Sequence, residues 1–159
     1  MDDHGCFALR TAQPSDLDFE HFLYASTARR PPPLGPEVFD GLVGMQFRAH
    51  TMSIRVEHPR AERKIVVVED VPAGRLITDS SGDHIEVIDV ALLPEFRVQG
   101  IGTSVMRNVL AHADRLGRAV QLHVEKQNRA VRLDERLGFA ISGDVGMYFA
   151  MSRTLAAGW

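Results

Sequence analysis

Between His84 and Gly117 the chain has to pass from one backbone geometry to another within a few residues, and that junction limits the folds open to it. His84 to Leu93 reads as a long strand, ended by Pro94, which lacks the N–H that a further ladder bond would need. From about Gly100 the period becomes helical: Val105, Val109, Leu110 and Ala113 fall on one face, and Gly117 stops the run. A strand that feeds a helix in this way finds its next parallel partner beyond it, and Ala119 to Val124 supplies that strand. In the turn Arg97-Val98-Gln99-Gly100-Ile101-Gly102 the first N–H groups of the helix have no intrahelical partner. Gly100 and Gly102 let an anion approach the backbone, the helix dipole favours negative charge, and Arg97 adds a positive one.

The flanking segments give this junction its setting. Cys6 to Thr11 alternates as a short strand, and Pro14-Ser15-Asp16 caps a helix to about Thr27 whose buried stripe is Phe19, Phe22 and Leu23. Three successive prolines make Arg29 to Gly35 a semi-rigid loop. A second helix starts at Pro36 and runs towards His58, with Val38, Phe39, Leu42, Met45 and Phe47 at helical spacing. Lys64 to Glu69 and Arg75 to Thr78 form a hairpin turning at Val71-Pro72-Ala73-Gly74, and the Ser80 to Asp83 turn leads into the His84 strand. After Val124, a helix over 128–137 ends at Gly138, and Phe139 to Ile141 pairs with Gly146 to Ser152. The expected fold is α/β (α+β): one domain over 1–159, with a mixed, mostly antiparallel sheet of about six to seven strands and helices on both faces.

Composition closes off several function classes. A net charge of −3 argues against nucleic acid as a partner, since duplex binding depends on Lys and Arg displacing counterions. Lys64 and Lys126 are the only lysines, so no polybasic stretch exists to hold a membrane surface. No run nears the roughly 20 apolar residues that span a bilayer, and the acidic start Met1-Asp2-Asp3-His4 lacks an apolar signal core, which together point to the cytoplasm. Cys6 is the single cysteine, so no internal disulfide or thiolate cluster can form, and the seven histidines show no His-x-x-x-His pair, so no metal is expected.

Two familiar phosphate motifs fail against the Arg97 turn. The dinucleotide fingerprint needs a third glycine where Val105 stands, and the P-loop needs Gly-Lys-Ser/Thr. The turn resembles instead the acyl-CoA pyrophosphate signature of the GNAT superfamily of N-acyltransferases. Downstream, Ala130-Val131-Arg132-Leu133-Asp134-Glu135-Arg136-Leu137-Gly138-Phe139 is similar to that superfamily's second block, commonly Asn-x-x-Ala-x-x-Leu-Tyr-x-x-x-Gly-Phe.

The resemblance implies a splay between the fourth and fifth strands, with acetyl-CoA as co-substrate in the opening. Its pantetheine would follow the backbone of Val90, Ala91, Leu92 and Leu93, and its pyrophosphate the N–H groups of Val98, Gln99, Gly100, Ile101, Gly102 and Thr103 beside Arg97. Asn128 would flank the arm, one residue from where the block's asparagine falls, and a strand N–H near Leu92 would meet the oxyanion. The acceptor amine must lose a proton, since an alkylamine with a pKa near 10.4 is mostly protonated at neutral pH. Glu86 matches the superfamily's base and Asp89 is the second acid on that strand; being three apart, they face opposite ways unless a bulge intervenes. The helix tyrosine that protonates the departing thiolate is replaced by Asp134, leaving Tyr148 as the nearest substitute. The implied activity is acetyl transfer to the primary amine of a small molecule. The alternatives are an acyl-CoA-binding module without turnover and an enzyme acting on a protein N-terminus or lysine. An edge strand at Met147 to Met151 would let two copies pair as a homodimer.

Overall fold

The computed structural model describes residues 7–28 and 33–154, so the readings of the acidic N-terminus, of Cys6 and of the first prolines of the loop lie outside the described residues. Seven strands form one sheet in the order β1-β2-β3-β4-β5-β7-β6: β1 Phe7–Thr11, β2 Glu62–Val68, β3 Val71–Asp79, β4 Ile85–Leu92, β5 Val120–Glu125, β6 Ala140–Val145 and β7 Tyr148–Arg153. Every neighbouring pair is antiparallel except β4 and β5. The helices are α1 Leu17–Thr27, α2 Pro36–Glu57, α3 Ile101–Leu116 and α4 Ala130–Arg136.

One face of the sheet is covered by α3. Val105, Met106, Val109, Leu110 and Ala113 are buried at helical spacing and pack on Leu76, Ile85, Val87, Val120, Leu122 and Met151. Each of these Val, Leu, Ile and Met side chains removed from water contributes roughly 1.5–3 kcal/mol before conformational entropy is subtracted. The opposite face carries α1 and α2, which meet through stacked His21 and Phe47 rings with centroids 5.1 Å apart.

The inward faces of these two helices differ from the spacing-based expectation. Phe22 is 65% exposed, and α1 buries Leu23 together with Glu20, whose carboxylate is held by Arg63 and Arg75. An ion pair therefore takes the place in α1 that hydrophobic spacing assigned to Phe22. In α2, Val38, Leu42 and Met45 are exposed, while Val43, Gly44, Phe47 and Ile54 are buried. Gly44 lies against α1: a Cβ there would come within 3.7 Å of the His21 ring.

The first hairpin also turns earlier than expected. Glu69 and Asp70, both with positive φ (50° and 65°), form the two-residue connection, and Pro72 and Gly74 lie inside β3. Positive φ at both central positions matches the strand twist in such tight hairpins, so the turn forms without glycine. Gly74 is needed for another reason, since a Cβ there would fall 2.1 Å from the carbonyl oxygen of Ala91 on β4. At the far end, β7 is an inner strand between β5 and β6, so the edge on that side is β6 and not Met147 to Met151.

Candidate active site

The parallel β4–β5 ladder is short. Ile85, Glu86 and Val87 pair with Val120, Gln121 and Leu122, and beyond that point the strands part. β4 stays joined to β3 as far as Leu92, and β5 to β7 as far as Glu125, so each strand keeps one satisfied edge and leaves the other facing the gap. The gap is a cleft of about 420 Å³, lined by Val90, Ala91 and Leu92 on one side and by His123, Val124 and Asn128 on the other.

The Arg97 to Gly102 turn closes one end of this cleft. Gly100 precedes α3 with φ 80°, and Val98 has φ 63° with its side chain fully in water, a strained setting for a β-branched residue worth about 1–3 kcal/mol. Among the described residues, no backbone carbonyl accepts a hydrogen bond from the N–H groups of residues 98–103. Arg97 is braced by its Nε–H donating to Leu92 O (2.9 Å), and Gln99 by its side-chain amide donating to Glu95 O (2.7 Å). A Cβ on Gly102 would touch only Leu92, at 3.7 Å, so the protein's own packing does not require glycine there. The free N–H groups, the nearby guanidinium and the bare glycine fit a phosphate group. Ile101 is buried beneath the turn, and Leu93 lies outside the cleft, its N–H donating to Ala73 O (2.8 Å).

A second cavity, about 620 Å³, lies between the sheet and the α1–α2 pair. Its walls include Tyr24, Phe39, Leu42, Gln46 and His50. Four residues line both cavities: Asp89, Ala91, Glu125 and Tyr148. Glu125 and Tyr148 are cross-strand partners on β5 and β7.

A bulge decides which carboxylates share this face. Ile77 pairs with Asp89 but Thr78 with Val87, so Ile88 is extra in β4 and the alternation shifts by one. Ile85, Val87, Val90 and Leu92 point into the α3 core, and Glu86 and Asp89 fall together on the α1–α2 face. Asp89 is gripped by Arg75, with Nε 2.7 Å and Nη2 2.6 Å from its Oδ2. Arg75 in turn reaches Glu20, which is 1% exposed and also receives Arg63.

Glu86 lines neither cavity. Its Oε1 is 3.4 Å from Nδ1 of His123 and its Oε2 is 3.2 Å from Nε2 of His84, whose Nδ1 is 3.0 Å from the solvent-exposed carboxylate of Asp83. These contacts form a file of titratable groups from the cleft wall at His123 to the surface. The hydrogen bond with Asp83 raises the pKa of His84 above the ordinary imidazole value; burial opposes it, and the hydrogen bond with Glu86 adds to the rise. Asp134 projects from α4 into the cleft, 6% exposed and without a hydrogen-bond or ion-pair partner for its carboxyl among the described residues. Burial raises its pKa to about 6.

The family model described as "Acetyltransferase (GNAT) family" matches residues 36–139 of the 159. The chain belongs to the GNAT acetyltransferase family. The fold agrees. The structure of PaiA N-acetyltransferase from Thermoplasma acidophilum in complex with coenzyme A superposes with a TM-score of 0.72 at 13% identity, covering 93% of this chain and 98% of that one. The ribosomal-protein-S18-alanine N-acetyltransferase of Escherichia coli gives 0.68 at 16% identity, with 96% of each chain covered. An acetyltransferase from Thermus thermophilus gives 0.67 at 16%, covering 94% and 97%. No curated protein sequence matches the chain.

Within this GNAT domain, sequence reasoning passed over Glu125 and His123. The signal was present, because Gln121, His123 and Glu125 are the polar alternates of β5, but nothing in a strand's period says which polar alternates end at a cavity.

Proposed function

We propose that this GNAT domain is an acetyl-CoA-dependent N-acetyltransferase that moves the acetyl group to the primary amine of a small molecule by direct attack in a ternary complex. The observation that carries this reading is the meeting of two cavities, one beside the Arg97 to Gly102 turn and one between sheet and helices, at Asp89, Ala91, Glu125 and Tyr148. Residues 98–103 and Arg97 would hold the pyrophosphate, and Val90 to Leu92 with Asn128 would flank the pantetheine. Bound there, acetyl-CoA supplies a thioester: the amine nitrogen bonds to the carbonyl carbon, the C–S bond breaks, and sulfur leaves as a thiolate.

His123 takes the proton that the amine must lose. Its Nδ1 faces Glu86, which leaves Nε2 for the cleft, and imidazole is the side chain best suited to accept a proton near neutrality. Glu86 orients the ring and stabilises it once charged, and His84 with Asp83 continues the path to water. Asp89, its charge taken up by Arg75, helps fix the amine, with Glu125 opposite it. On the leaving-group side Asp134 does what the missing tyrosine would do. With a pKa near 6, about one carboxyl in ten carries a proton at pH 7, and that proton passes to the thiolate. Tyr148 borders both cavities and is the second donor within reach.

The test is release of CoA thiol from acetyl-CoA across amines, with peptides bearing free N-termini or lysines as a separate arm. Thiol release with small amines supports the proposal. Release with peptides alone moves the acceptor to protein. A rise in melting temperature with CoA but no release with any acceptor leaves a binding module, the reading that the loss of the helix tyrosine favours.

A further inference from the structure

The distribution of charge in the second cavity says which amines it accepts. Arg75 is the cation in its wall, and it is already committed to two carboxylates, Asp89 at 2.6 Å and Glu20 at 3.4 Å. It therefore has little attraction left for a substrate carboxylate or phosphate. His50 adds no cation at neutral pH, because burial lowers its pKa below the ordinary imidazole value. The two acidic groups in the wall, Asp89 and Glu125, both lie on the border shared with the donor cleft, and Glu125 has no ion-pair partner among the described residues. Beyond that border the wall combines Leu34, Phe39, Leu42 and Val43 with the uncharged polar side chains of Gln46 and His50, and it holds no carboxylate. A ligand with a second ammonium group would have to leave it where no carboxylate pairs it, and an unpaired charge is costly there. The volume, about 620 Å³, lies within the range of about 300–1,000 Å³ usual for clefts that enclose a whole small molecule.

We propose that the acceptor is a monoamine with an aromatic or branched aliphatic body, its ammonium group paired with Glu125 and hydrogen-bonded to Asp89 Oδ1, the oxygen that Arg75 leaves, and its body against Phe39, Leu42 and Val43. This assignment rests on the acetyl-transfer reading. Two features set the selectivity: the acidic border holds one cation next to the thioester, and Phe39, Leu42 and Val43 reward an apolar body attached to it. Adding a carboxylate next to the amine, as in an amino acid, places an anion beside Glu125 with no free cation to receive it.

The experiment compares ethylamine, 2-phenylethylamine, phenylalanine and spermidine by kcat/KM with saturating acetyl-CoA, and separately by calorimetric binding to the protein saturated with CoA. The expected result is a gain of about ten- to a hundredfold for 2-phenylethylamine over ethylamine, from burial of the ring. Phenylalanine and spermidine fall below 2-phenylethylamine by at least about tenfold, from their unpaired charges. Leu42→Ala should raise KM for 2-phenylethylamine by a larger factor than KM for ethylamine. A preference for spermidine or phenylalanine, or equal values for ethylamine and 2-phenylethylamine, overturns the assignment while thiol release keeps the acetyl-transfer reading. If no amine releases thiol, the binding arm decides alone: selective binding of 2-phenylethylamine upholds the cavity's chemistry while the transfer reading falls, and no selectivity refutes both.

Discussion

Asp134 offers a test in which the sign of a pH dependence is fixed by structure. Its carboxyl has a pKa of about 6 in the folded chain, against 3.8 for the ordinary group, because burial disfavours the ionised form. Below pH 3.8 both folded and unfolded chains carry the proton, and Asp134 does not oppose folding. Between 3.8 and 6 the unfolded chain gives up the proton first, so stability falls as pH rises. Above 6 both are ionised, and the full difference opposes folding by about 3 kcal/mol, at about 1.4 kcal/mol for each tenfold change in proton affinity. The group lines an open cleft, so this is an upper figure. Asp134→Asn removes the titration and keeps the shape. Asp16, held at about 2 chiefly by its hydrogen bonds with Arg10, and Asp79, also lowered, titrate in both proteins and cancel in the difference. The melting temperatures of the two proteins should differ little at pH 4, and the variant should gain as pH rises to 7.5. The gap should open to roughly 6–12 °C at most, at about 2–4 °C per kcal/mol for a domain of this size. A gap that stays constant from pH 4 to 7.5 would refute the raised pKa, and with it the protonated carboxyl that the leaving thiolate needs.

Four further outcomes follow from the geometry. His123→Ala should lower kcat by about 10²–10⁴, and Glu86→Gln should lower kcat by less; steady-state rates with saturating acetyl-CoA check both. Gly102→Ala should weaken CoA binding by at least about tenfold in calorimetry, yet leave stability unchanged or raise it by up to about 1 kcal/mol, because only Leu92 at 3.7 Å meets the new methyl. Gly74→Ala should do the reverse and destabilise by more than about 3 kcal/mol in urea, since the methyl would meet Ala91 O at 2.1 Å and part β3 from β4. Glu20→Ala should cost about 3–5 kcal/mol, because Arg75, 5% exposed at the side chain, loses a partner for its charge, and KM for the amine should rise as Asp89 loses its support.

The parts of this site that were legible in the sequence are those made by backbone. Proline after a strand, glycines before a helix and the return of an apolar strand beyond it fix where β4 ends, where α3 begins and that β5 runs parallel, and these three facts create both the cleft and the turn at its end. What sequence periods could not supply is the direction of individual side chains where regularity breaks. The stripes of α1 and α2 were misjudged because hydrophobic spacing does not anticipate an ion pair in a core: Glu20 occupies the inward position and Phe22 the outward one. The hairpin turn was misplaced because Val71-Pro72-Ala73-Gly74 has turn composition for reasons of strand packing, while Glu69 and Asp70 turn without glycine.

The bulge at Ile88 shows how one such irregularity reaches the chemistry. In a regular strand Glu86 and Asp89 would face opposite sides, and only one could serve the site. With Ile88 extra, the core keeps Ile85, Val87, Val90 and Leu92, while both carboxylates come to the α1–α2 face. They then divide by their partners: Arg75 neutralises Asp89 at the meeting of the cavities, and His123 stands between Glu86 and the cleft. In the proposed reaction the two acids then differ in role, Asp89 beside the amine and Glu86 behind His123 as the base. Removing Ile88 would therefore test the arrangement as a unit: the deletion leaves Glu86 and Asp89 two apart and on one face of a regular strand, so thiol release with small amines should persist, and its loss in a folded variant that still binds CoA would refute the account.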